Sequence, residues 1–339
     1  MPDTEITVII ITRNRPEMLG ECLGSVLASL PENIEILAGI NGPDDRSLEI
    51  LARFPRARAV PLPALCRGEA RNAVAAKARG RRLCFLDDDT VIPEGYFTRL
   101  LSLIERNPDA AVFGGGQLLF SGAGFFERLV YLTLGSAWGA GPFTERFSPV
   151  RGTRAADREK FVLCNLTLDR FFLEKHGLAF EGHVTSAEEN LLLNRMAAAG
   201  ARMILSADLN LIHRRRKNLR HFIRQVFGSG RGRAQISFIS PGSAVPFTFL
   251  PPLAACSFIA AFFLPGAVLA VLSGTYFAAS LAFALNLDCG VRLKAAAAAL
   301  FPALHGAYAC GWLFGAAESV WEKFFRKGRP ARCACQKNP

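Results

Sequence analysis

Three consecutive carboxylates, Asp87, Asp88 and Asp89, follow the apolar run at residues 83–86. Adjacent like charges repel, so such a cluster is typical of a site where a cation or a ligand lies among the carboxylates. A Mg²⁺ or Mn²⁺ ion bound with a nucleotide diphosphate usually takes one or two protein carboxylates, together with phosphate and water oxygens. The pattern predicts a metal site at Asp87 and Asp89. The alternative is a solvated acidic turn that caps the next helix, but a cap requires one aspartate rather than three.

Regular alternation of short apolar runs and helical patterns precedes these carboxylates. Strands are predicted at residues 6–12, 34–40, 57–62 and 82–86. Helices are predicted at residues 16–29, 48–55 and 68–80, the last one closed by Gly80. This order predicts an α/β fold with a mostly parallel sheet and helices on both faces.

The ends of three predicted strands carry polar residues. Thr12–Arg13, Asn41–Asp45 and Asp87–Asp89 each follow an apolar run. Because ligands of such sheets bind at the carboxyl ends of the strands, these three loops are expected to line one crevice.

The chain beyond residue 110 is less regular. Residues 111–120 are expected to form a strand interrupted by glycines, and residues 121–160 give no clear prediction. A strand and a short helix are predicted within 160–177, and a closing strand at 202–213. Between them, residues 186–200 are expected to form a helix with Ser186 as its N-cap and two glutamates, Glu188 and Glu189, in its first turn, where the helix dipole favours acids.

Three segments together resemble the family 2 glycosyltransferases: VIIITRNRPEMLGECLGSV, GEARNAVAAKARGRRLCFLDDDTVIPEGYF and AEENLLLNRMAAAGARM. These are inverting enzymes with the Rossmann-like, A-type nucleotide-diphospho-sugar transferase fold. The resemblance covers roughly residues 5–232 and follows the order and spacing of the family. It implies a nucleotide-diphosphate sugar donor and a divalent metal cofactor, Mg²⁺ or Mn²⁺.

The resemblance also implies a role for each matching residue. Asp87 and Asp89 occupy the D-x-D positions, which hold the metal and the ribose and diphosphate of the donor. Glu189 stands where the family has the general base that takes the proton of the acceptor hydroxyl. The positions implied in donor binding are Thr12, Arg13, Asn41, Asp45, Arg71, Asn72, Asp87 and Asp88.

Two positions depart from the family pattern. Many members have an acid that contacts the nucleobase where this chain has Ile40, so the resemblance does not predict the base of the donor. The catalytic pair is Glu-Glu rather than Glu-Asp. For Glu188 and Glu189, an ordinary acidic start of a helix is the alternative interpretation.

His213 follows the closing strand. In some related enzymes a histidine here reaches the metal or the diphosphate, so the resemblance makes His213 a candidate metal ligand. The alternative is that it belongs to a basic surface, because Arg214, Arg215 and Arg216 follow it directly.

The net charge of +11 is distributed unevenly. Residues 213–233 contain eight Lys or Arg and no acid, whereas residues 234–287 contain no charged residue. Membrane-embedded segments are typically free of charge over such lengths. The basic stretch therefore predicts an interfacial helix on anionic lipid. Nucleic-acid binding is the alternative for a basic run, and the apolar sequence downstream disfavours it.

The apolar third of the chain predicts two or three transmembrane helices. Residues 246–287 comprise 42 residues with a break at Pro265–Gly266, and residues 295–317 are a further candidate that contains His305. The division expected is a catalytic domain at 1–212, an interfacial linker at 213–240, membrane helices at 241–320 and a basic tail at 321–339. Basic flanks favour the cytoplasmic side for the catalytic domain of this multi-pass protein. A short, non-basic start predicts no cleaved signal peptide.

The function expected is transfer of a sugar to a lipid-linked or surface-glycan acceptor at the cytoplasmic face of the cell membrane. One alternative is a non-catalytic membrane protein that binds sugar nucleotides, which the departures at Ile40 and Glu189 favour. A minor alternative is a phosphotransferase of the haloacid-dehalogenase type, because "FLDDDTV" fits its motif with Asp87 as nucleophile.

Overall fold

The protein is described by a computed structural model that covers residues 5–29, 31, 33–182 and 184–325. The strands are β1 Ile6–Thr12, β2 Ile34–Asn41, β3 Ala57–Leu62, β4 Arg82–Asp87, β5 Thr90–Val91, β6 Ala110–Gly114, β7 Gln117–Leu118, β8 Thr153–Ala155, β9 Asn165–Asp169, β10 Arg202–Ser206 and β11 Leu211–His213. The helices are α1 Pro16–Ala28, α2 Asp45–Leu51, α3 Arg67–Ala75, α4 Tyr96–Arg106, α5 Phe125–Leu134, α6 Ala137–Ala140, α7 Arg170–Lys175, α8 Glu188–Ala198, α9 Leu219–Ile239, α10 Leu250–Ala261, α11 Gly266–Leu285 and α12 Val291–Phe325.

The main sheet has eight strands in the order β3-β2-β1-β4-β9-β6-β10-β8. The pairs β3–β2, β2–β1, β1–β4 and β6–β10 are parallel, whereas β9 and β8 run antiparallel to their neighbours. Alternate residues of β1 enter different cores: Val8 and Ile10 pack with α1 and α4, and Ile9 packs with α3 and α8. The predicted α/β fold, mostly parallel with helices on both faces, is confirmed.

A small sheet, β5-β11-β7, lies beside the aspartate turn. Here β11 pairs antiparallel with β5, which places His213 opposite Thr90. The closing segment, predicted as one strand, is therefore two strands in two sheets. The turn between them begins where the Ser206 side chain accepts a hydrogen bond from the backbone of Asp208.

The segment predicted as one strand at residues 111–120 is likewise divided into β6 and β7. The break falls at Gly115, where a Cβ would lie 2.3 Å from the backbone of Leu209. The third predicted helix also differs, because α3 ends at Ala75 rather than at Gly80. Gly80 instead packs on β1, and its N–H donates to the Thr7 hydroxyl at 2.9 Å.

The apolar third forms three helices, and the predicted break around Pro265 separates α10 from α11. By length and composition, α11 and α12 are each able to cross a membrane. Helix α10 has 12 residues, or about 18 Å, and is too short for a hydrocarbon core of about 30 Å. The connecting residues are highly exposed, with Phe262 at 72% and Phe263 at 86%. Of the predicted basic tail, residues 326–339 lie outside the described residues.

Helix α9, predicted to lie on lipid, packs closely along α12. A Cβ at Gly230 would be 2.2 Å from the Tyr308 carbonyl oxygen, and one at Gly311 would be 2.1 Å from that of Phe227. These glycines let the two backbones approach, so α9 joins the α/β region to the apolar helices.

Candidate active site

The carboxyl ends of β1, β2 and β4 open into a cavity of about 1430 Å³. This volume exceeds the roughly 300–1,000 Å³ that accommodates one drug-sized ligand. One end of the cavity is polar and gathers most of the residues predicted from the sequence. They are Thr12, Arg13, Asn41, Arg71, Asp87, Asp88, Asp89, Glu189 and His213.

The three aspartates have different surroundings. Asp88 and Asp89 are buried, whereas the Asp87 side chain is 36% exposed. The Thr12 hydroxyl donates to Asp88 at 2.7 Å, and Arg15 donates to Asp88 at 2.5 Å and to Asp89 at 3.2 Å. Burial raises the pKa of Asp88 to about 6, against the opposing charge of Arg15. Arg15, which the sequence analysis did not assign, neutralises much of this cluster.

Asp89 contacts the predicted ligand His213. Its Oδ1 lies 3.0 Å from Nε2 of the ring, and Arg216 approaches its other oxygen at 3.4 Å. Burial disfavours the charged form, but His213 and the nearby arginines outweigh it, and the pKa of Asp89 lies well below its ordinary value. Asp89 is therefore an ionised acceptor that fixes the orientation of the imidazole.

A set of metal donors lies beside this pair. Donor atoms of Asp87, Cys164 and His213 all lie within 4.8 Å of one another. Nδ1 of His213 is buried without a hydrogen-bond partner among the described residues. With Asp89 at Nε2, Nδ1 is the ring nitrogen left to act as a metal ligand. Asp87 and His213 fit a divalent cation. Cys164, on the loop before β9, was not predicted from the sequence; burial raises the pKa of its thiol, so it is a poor ligand for Mg²⁺ or Mn²⁺.

Arg71 links the aspartate cluster to the start of α8. It donates a hydrogen bond to Glu188, and its other terminal nitrogen lies 3.4 Å from Asp87. Glu188 is buried, and burial raises its pKa although Arg71 opposes the shift. The predicted donor-site residue Arg71 thus holds α3, β4 and α8 together at the cavity.

Glu189 is held by two groups. Arg146 donates to its carboxylate, and the Asn190 amide donates at 2.9 Å. Arg146 also donates to the oxygen of Asn190 at 2.5 Å. Arg146 lies within residues 121–160, where no element was predicted, and its partners are about 40 residues further along the chain, so only the tertiary fold identifies it.

The loop before Glu188 has an unusual backbone. Ala187, not Ser186, is the N-cap of α8, and it has a φ of 66°. Non-glycine residues rarely adopt this left-handed conformation, and such strain persists where the surroundings fix it. Gln235 of α9 supplies part of that support, because its side-chain oxygen accepts from the backbone and hydroxyl of Thr185.

Of three further residues predicted to bind the donor, one lines the cavity and two lie outside its lining. The Asn41 side chain lines the cavity and brackets the backbone of Leu65 with two hydrogen bonds. Asn72 lies outside the cavity lining. Its side chain donates to the backbone carbonyl of Phe180 and accepts from the N–H of the same residue. Asp45 is exposed at the start of α2, outside the cavity lining, while the preceding residue Asp44 caps that helix.

Comparison with known proteins identifies the domain. Residues 7–158 match the family model described as Glycosyl transferase family 2. This part of the chain is a family 2 glycosyltransferase domain. The match includes the aspartate cluster, whereas Glu189 and His213 lie beyond it in sequence and line the same cavity.

Two curated relatives match part of the chain. The succinoglycan biosynthesis protein ExoO of Rhizobium meliloti (strain 1021) is 28% identical over 225 residues, 62% of this chain and 60% of that protein. The uncharacterized glycosyltransferase EpsJ of Bacillus subtilis (strain 168) is 29% identical over 127 residues, 36% of this chain and 34% of that protein. The chain thus matches less than two thirds of the length of either relative.

Solved structures share the fold. The mannosyltransferase PcManGT from Pyrobaculum calidifontis, in complex with GDP-Man and Mn²⁺, has a TM-score of 0.57 and 18% identity and covers 94% of this chain and 88% of its own. S. aureus TarS 1-349 in complex with UDP-GlcNAc has a TM-score of 0.54 and 15% identity and covers 97% of this chain and 93% of its own. The glycosyltransferase domain has the A-type fold predicted from the sequence.

Proposed function

We propose that the protein is a membrane-anchored inverting glycosyltransferase that moves a hexosyl group from a nucleotide-diphosphate donor. Its acceptor is lipid-linked or part of a surface glycan, and the reaction takes place at the cytoplasmic face of the membrane. The observation that carries this proposal is the convergence of Asp87, Asp89, His213 and Glu189 at one end of a single cavity. The family match favours this reaction over phosphotransfer through Asp87.

The donor lies, in this proposal, across the carboxyl ends of β1, β2 and β4. Thr12, Arg13 and Asn41 line its nucleoside side, and Arg71, Asp87 and Asp88 its diphosphate side. Asp45 and Asn72 contribute from outside the cavity lining, Asn72 by holding the backbone at Phe180. Donor complexes of PcManGT and TarS carry GDP-Man and UDP-GlcNAc, so either base is compatible with the fold.

Asp87, Asp89 and His213 are the proposed holders of Mg²⁺ or Mn²⁺. The unpartnered Nδ1 of His213 and the half-exposed carboxylate of Asp87 support this assignment. When bound, the metal stabilises the negative charge of the departing nucleoside diphosphate. Asp89 contributes by fixing the tautomer and the orientation of His213.

Glu189 is the proposed general base. Its carboxylate takes the proton of the acceptor hydroxyl as that oxygen bonds to the anomeric carbon, and the bond from this carbon to the diphosphate oxygen breaks. A single displacement inverts the anomeric configuration. Arg146 and Asn190 hold the Glu189 carboxylate in place while the acceptor binds.

The proposal is tested by binding and turnover of nucleotide sugars. The full-length protein in detergent is screened for thermal stabilisation by a panel that includes GDP-Man and UDP-GlcNAc, with Mn²⁺ or with a chelator. Metal-dependent stabilisation followed by donor hydrolysis or sugar transfer supports the enzyme. Metal-dependent binding without any turnover favours the non-catalytic alternative, and the absence of binding to every donor contradicts both.

A further inference from the structure

The second end of the cavity is apolar. Beyond the catalytic residues, it continues between α10 and α11. Its lining there consists of aromatic, aliphatic and small side chains, namely Ala254, Phe258, Phe262, Leu269, Ser273 and Phe277. A polar sugar gains little from such walls, whereas a hydrocarbon chain gains roughly 25 cal/mol for each Å² that it buries. The cavity thus joins a polar reaction site to an apolar passage.

Arg233 of α9 lines the same cavity. Its guanidinium lies 4.8 Å from the ring centre of Phe143, and among the described residues it has neither a hydrogen bond nor an ion pair. Burial and the charge of Arg146 lower the pKa of Arg233 to about 10. Glu189, which also interacts with Arg233 electrostatically, is already paired with Arg146. Arg233 is only partly buried, so its uncompensated charge faces the cavity, where an anionic ligand would form a charge-assisted contact with it.

We propose that the acceptor is a sugar joined through a phosphate to a long hydrocarbon chain. The chain lies between α10 and α11, the phosphate lies at Arg233, and the sugar hydroxyl faces Glu189. This assignment rests on the proposed function and narrows its acceptor to the lipid-linked class.

The presence of a general base, Glu189, favours a sugar hydroxyl as the attacking group. A lipid phosphate oxygen is already ionised near neutral pH and needs no base, whereas a hydroxyl must lose a proton as it attacks. In the reaction the hydroxyl proton passes to Glu189, and the phosphate at Arg233 keeps all its bonds. Arg233 is accordingly an acceptor-binding residue with no part in the proton transfer.

The test uses a C15 prenyl diphosphate as probe, with the full-length protein in phosphatidylcholine nanodiscs. The C15 alcohol and inorganic pyrophosphate are measured in parallel. We expect Arg233→Met to weaken binding of the prenyl diphosphate by at least about tenfold, since hydrogen bonds to charged groups contribute about 1.5–3 kcal/mol. Binding of the alcohol is expected to stay unchanged, and Arg233→Lys is expected to keep most of the affinity. The matched control is Arg220→Met, an exposed arginine of the same helix outside the cavity lining.

A second variant tests the passage for the chain. Ser273→Trp fills the space between α10 and α11, and is expected to weaken both C15 compounds while leaving pyrophosphate unaffected. Wild-type affinity of Arg233→Met for the prenyl diphosphate would overturn the phosphate site. Equal affinity for pyrophosphate and the prenyl diphosphate would overturn the hydrocarbon passage, because the ligand would then be a free phosphate.

Donor binding in the same preparation separates this inference from the proposed function. If the prenyl diphosphate binds through Arg233 while no nucleotide sugar binds, the glycosyltransferase proposal fails and the lipid site stands. If nucleotide sugars bind and turn over while the prenyl diphosphate does not bind, the enzyme stands and the lipid acceptor is wrong.

The packing of α12 indicates whether this helix crosses the membrane. Near its start, Leu293 and Leu300 join a core with Leu129 of α5. Near its end, Glu318 accepts two hydrogen bonds from Arg231 of α9. Between Leu293 and Glu318 the helix rises about 38 Å, more than the hydrocarbon core of about 30 Å. A helix attached at both points to the catalytic side of the protein does not cross that core.

The end of α11 is attached to the same side. Ser280 accepts a hydrogen bond from the Trp138 indole at 3.0 Å, and Phe283 stacks on that ring. Only the first half of α11, about 15 Å long, and the apolar tip at Phe262–Phe263 project from the protein. The geometry points to a monotopic attachment, in which the α10–α11 hairpin dips into one leaflet, instead of the multi-pass arrangement expected from the sequence.

Labelling from the two sides of a membrane tests this attachment. Asp288→Cys, in the turn between α11 and α12, and Lys217→Cys, ahead of α9, are treated with a membrane-impermeant maleimide in right-side-out and inverted vesicles. Mass spectrometry locates the label, and detergent-solubilised protein verifies that both thiols react. A monotopic protein has both positions labelled from the same side. Labelling of position 288 only from the side opposite to position 217 would overturn the proposal.

Discussion

Gly232 of α9 lies directly against the backbone of Ser186, in the loop that precedes Glu188 and Glu189. A Cβ at position 232 would be 2.0 Å from the Ser186 carbonyl oxygen. We expect Gly232→Ala to displace this loop, and a displacement of about 1 Å at a catalytic group reduces turnover by up to about 10²-fold. Transfer rate and thermal stability of the variant are the measurements.

The same helix provides the control for this substitution. A Cβ at Gly228 meets nothing within 4 Å among the described residues. Gly228→Ala is therefore expected to keep its activity and to gain up to about 1 kcal/mol of stability from helix propensity. If Gly232→Ala transfers sugar as fast as Gly228→Ala, the loop does not depend on this contact.

Removal of the His213 imidazole tests the metal site. His213→Gln is expected to weaken Mn²⁺ binding by about 10–100-fold or more, because loss even of a residue that only orients a ligand costs this much. Titration followed by electron paramagnetic resonance measures Mn²⁺ directly, without turnover. His176→Gln, at the exposed histidine that follows α7 and lies outside the cavity lining, serves as control. Unchanged Mn²⁺ affinity in His213→Gln would remove this residue from the metal site.

Arg146 is expected to act by positioning the base. Its guanidinium contacts both Glu189 and Asn190, and a lysine cannot reproduce this two-point contact. Arg146→Lys should lower kcat by about 10–100-fold while the donor KM stays close to the wild-type value. The control is Arg154→Lys, since Arg154 forms an exposed ion pair with Glu145. An increase in donor KM without a change in kcat would assign Arg146 to the donor instead.

Glu35 makes the stability depend on pH. Burial opposes its ionisation, but hydrogen bonds from the Arg79 backbone and from Thr7 prevail and lower its pKa. A carboxylate with a lowered folded-state pKa stabilises the protein above its unfolded pKa of about 4.3, and this contribution is lost as the pH falls. Glu35→Gln should thus lower the melting temperature at pH 7 and have little effect near pH 3. Glu49→Gln, at an exposed position, is the control, and a pH-independent deficit in Glu35→Gln would contradict this account.

Local patterns were sufficient to predict the first half of the fold. The strands β1, β2 and β4 are buried, largely apolar runs, and the residues after them meet at the cavity as the rule for parallel sheets predicts. Helix α8 was also visible from its spacing. Its N-cap was not, because the positive φ of Ala187 is imposed by tertiary contacts and no local signal favours it.

The partners of the catalytic residues depend on the complete fold. Cys164 meets Asp87 and His213 only once β9 pairs with β4 and β11 with β5. Arg146 follows α5 and α6. These two helices are stabilised by packing against α12 and are not recognisable from their own sequence. The packing of α12 on α9 could not be predicted from the sequence either. Hydropathy depends on composition and does not show which face of a helix packs against another helix.

In the proposed reaction Glu189, and not its neighbour Glu188, takes the acceptor proton. Glu189→Gln retains the shape of the side chain and removes its basicity, so donor binding should be nearly unchanged and transfer at saturating donor should fall by about 10²–10⁴. Glu188→Gln, which weakens the contact with Arg71, should have a smaller effect, and Glu189→Asp should retain partial activity.

The transfer rate at saturating donor, measured for Glu189→Gln and Glu188→Gln side by side, tests this claim most directly. We expect Glu189→Gln to be the slower enzyme by a wide margin while both variants bind the donor. Wild-type transfer by Glu189→Gln, with loss of transfer in Glu188→Gln, would make Glu188 the base and contradict the assignment.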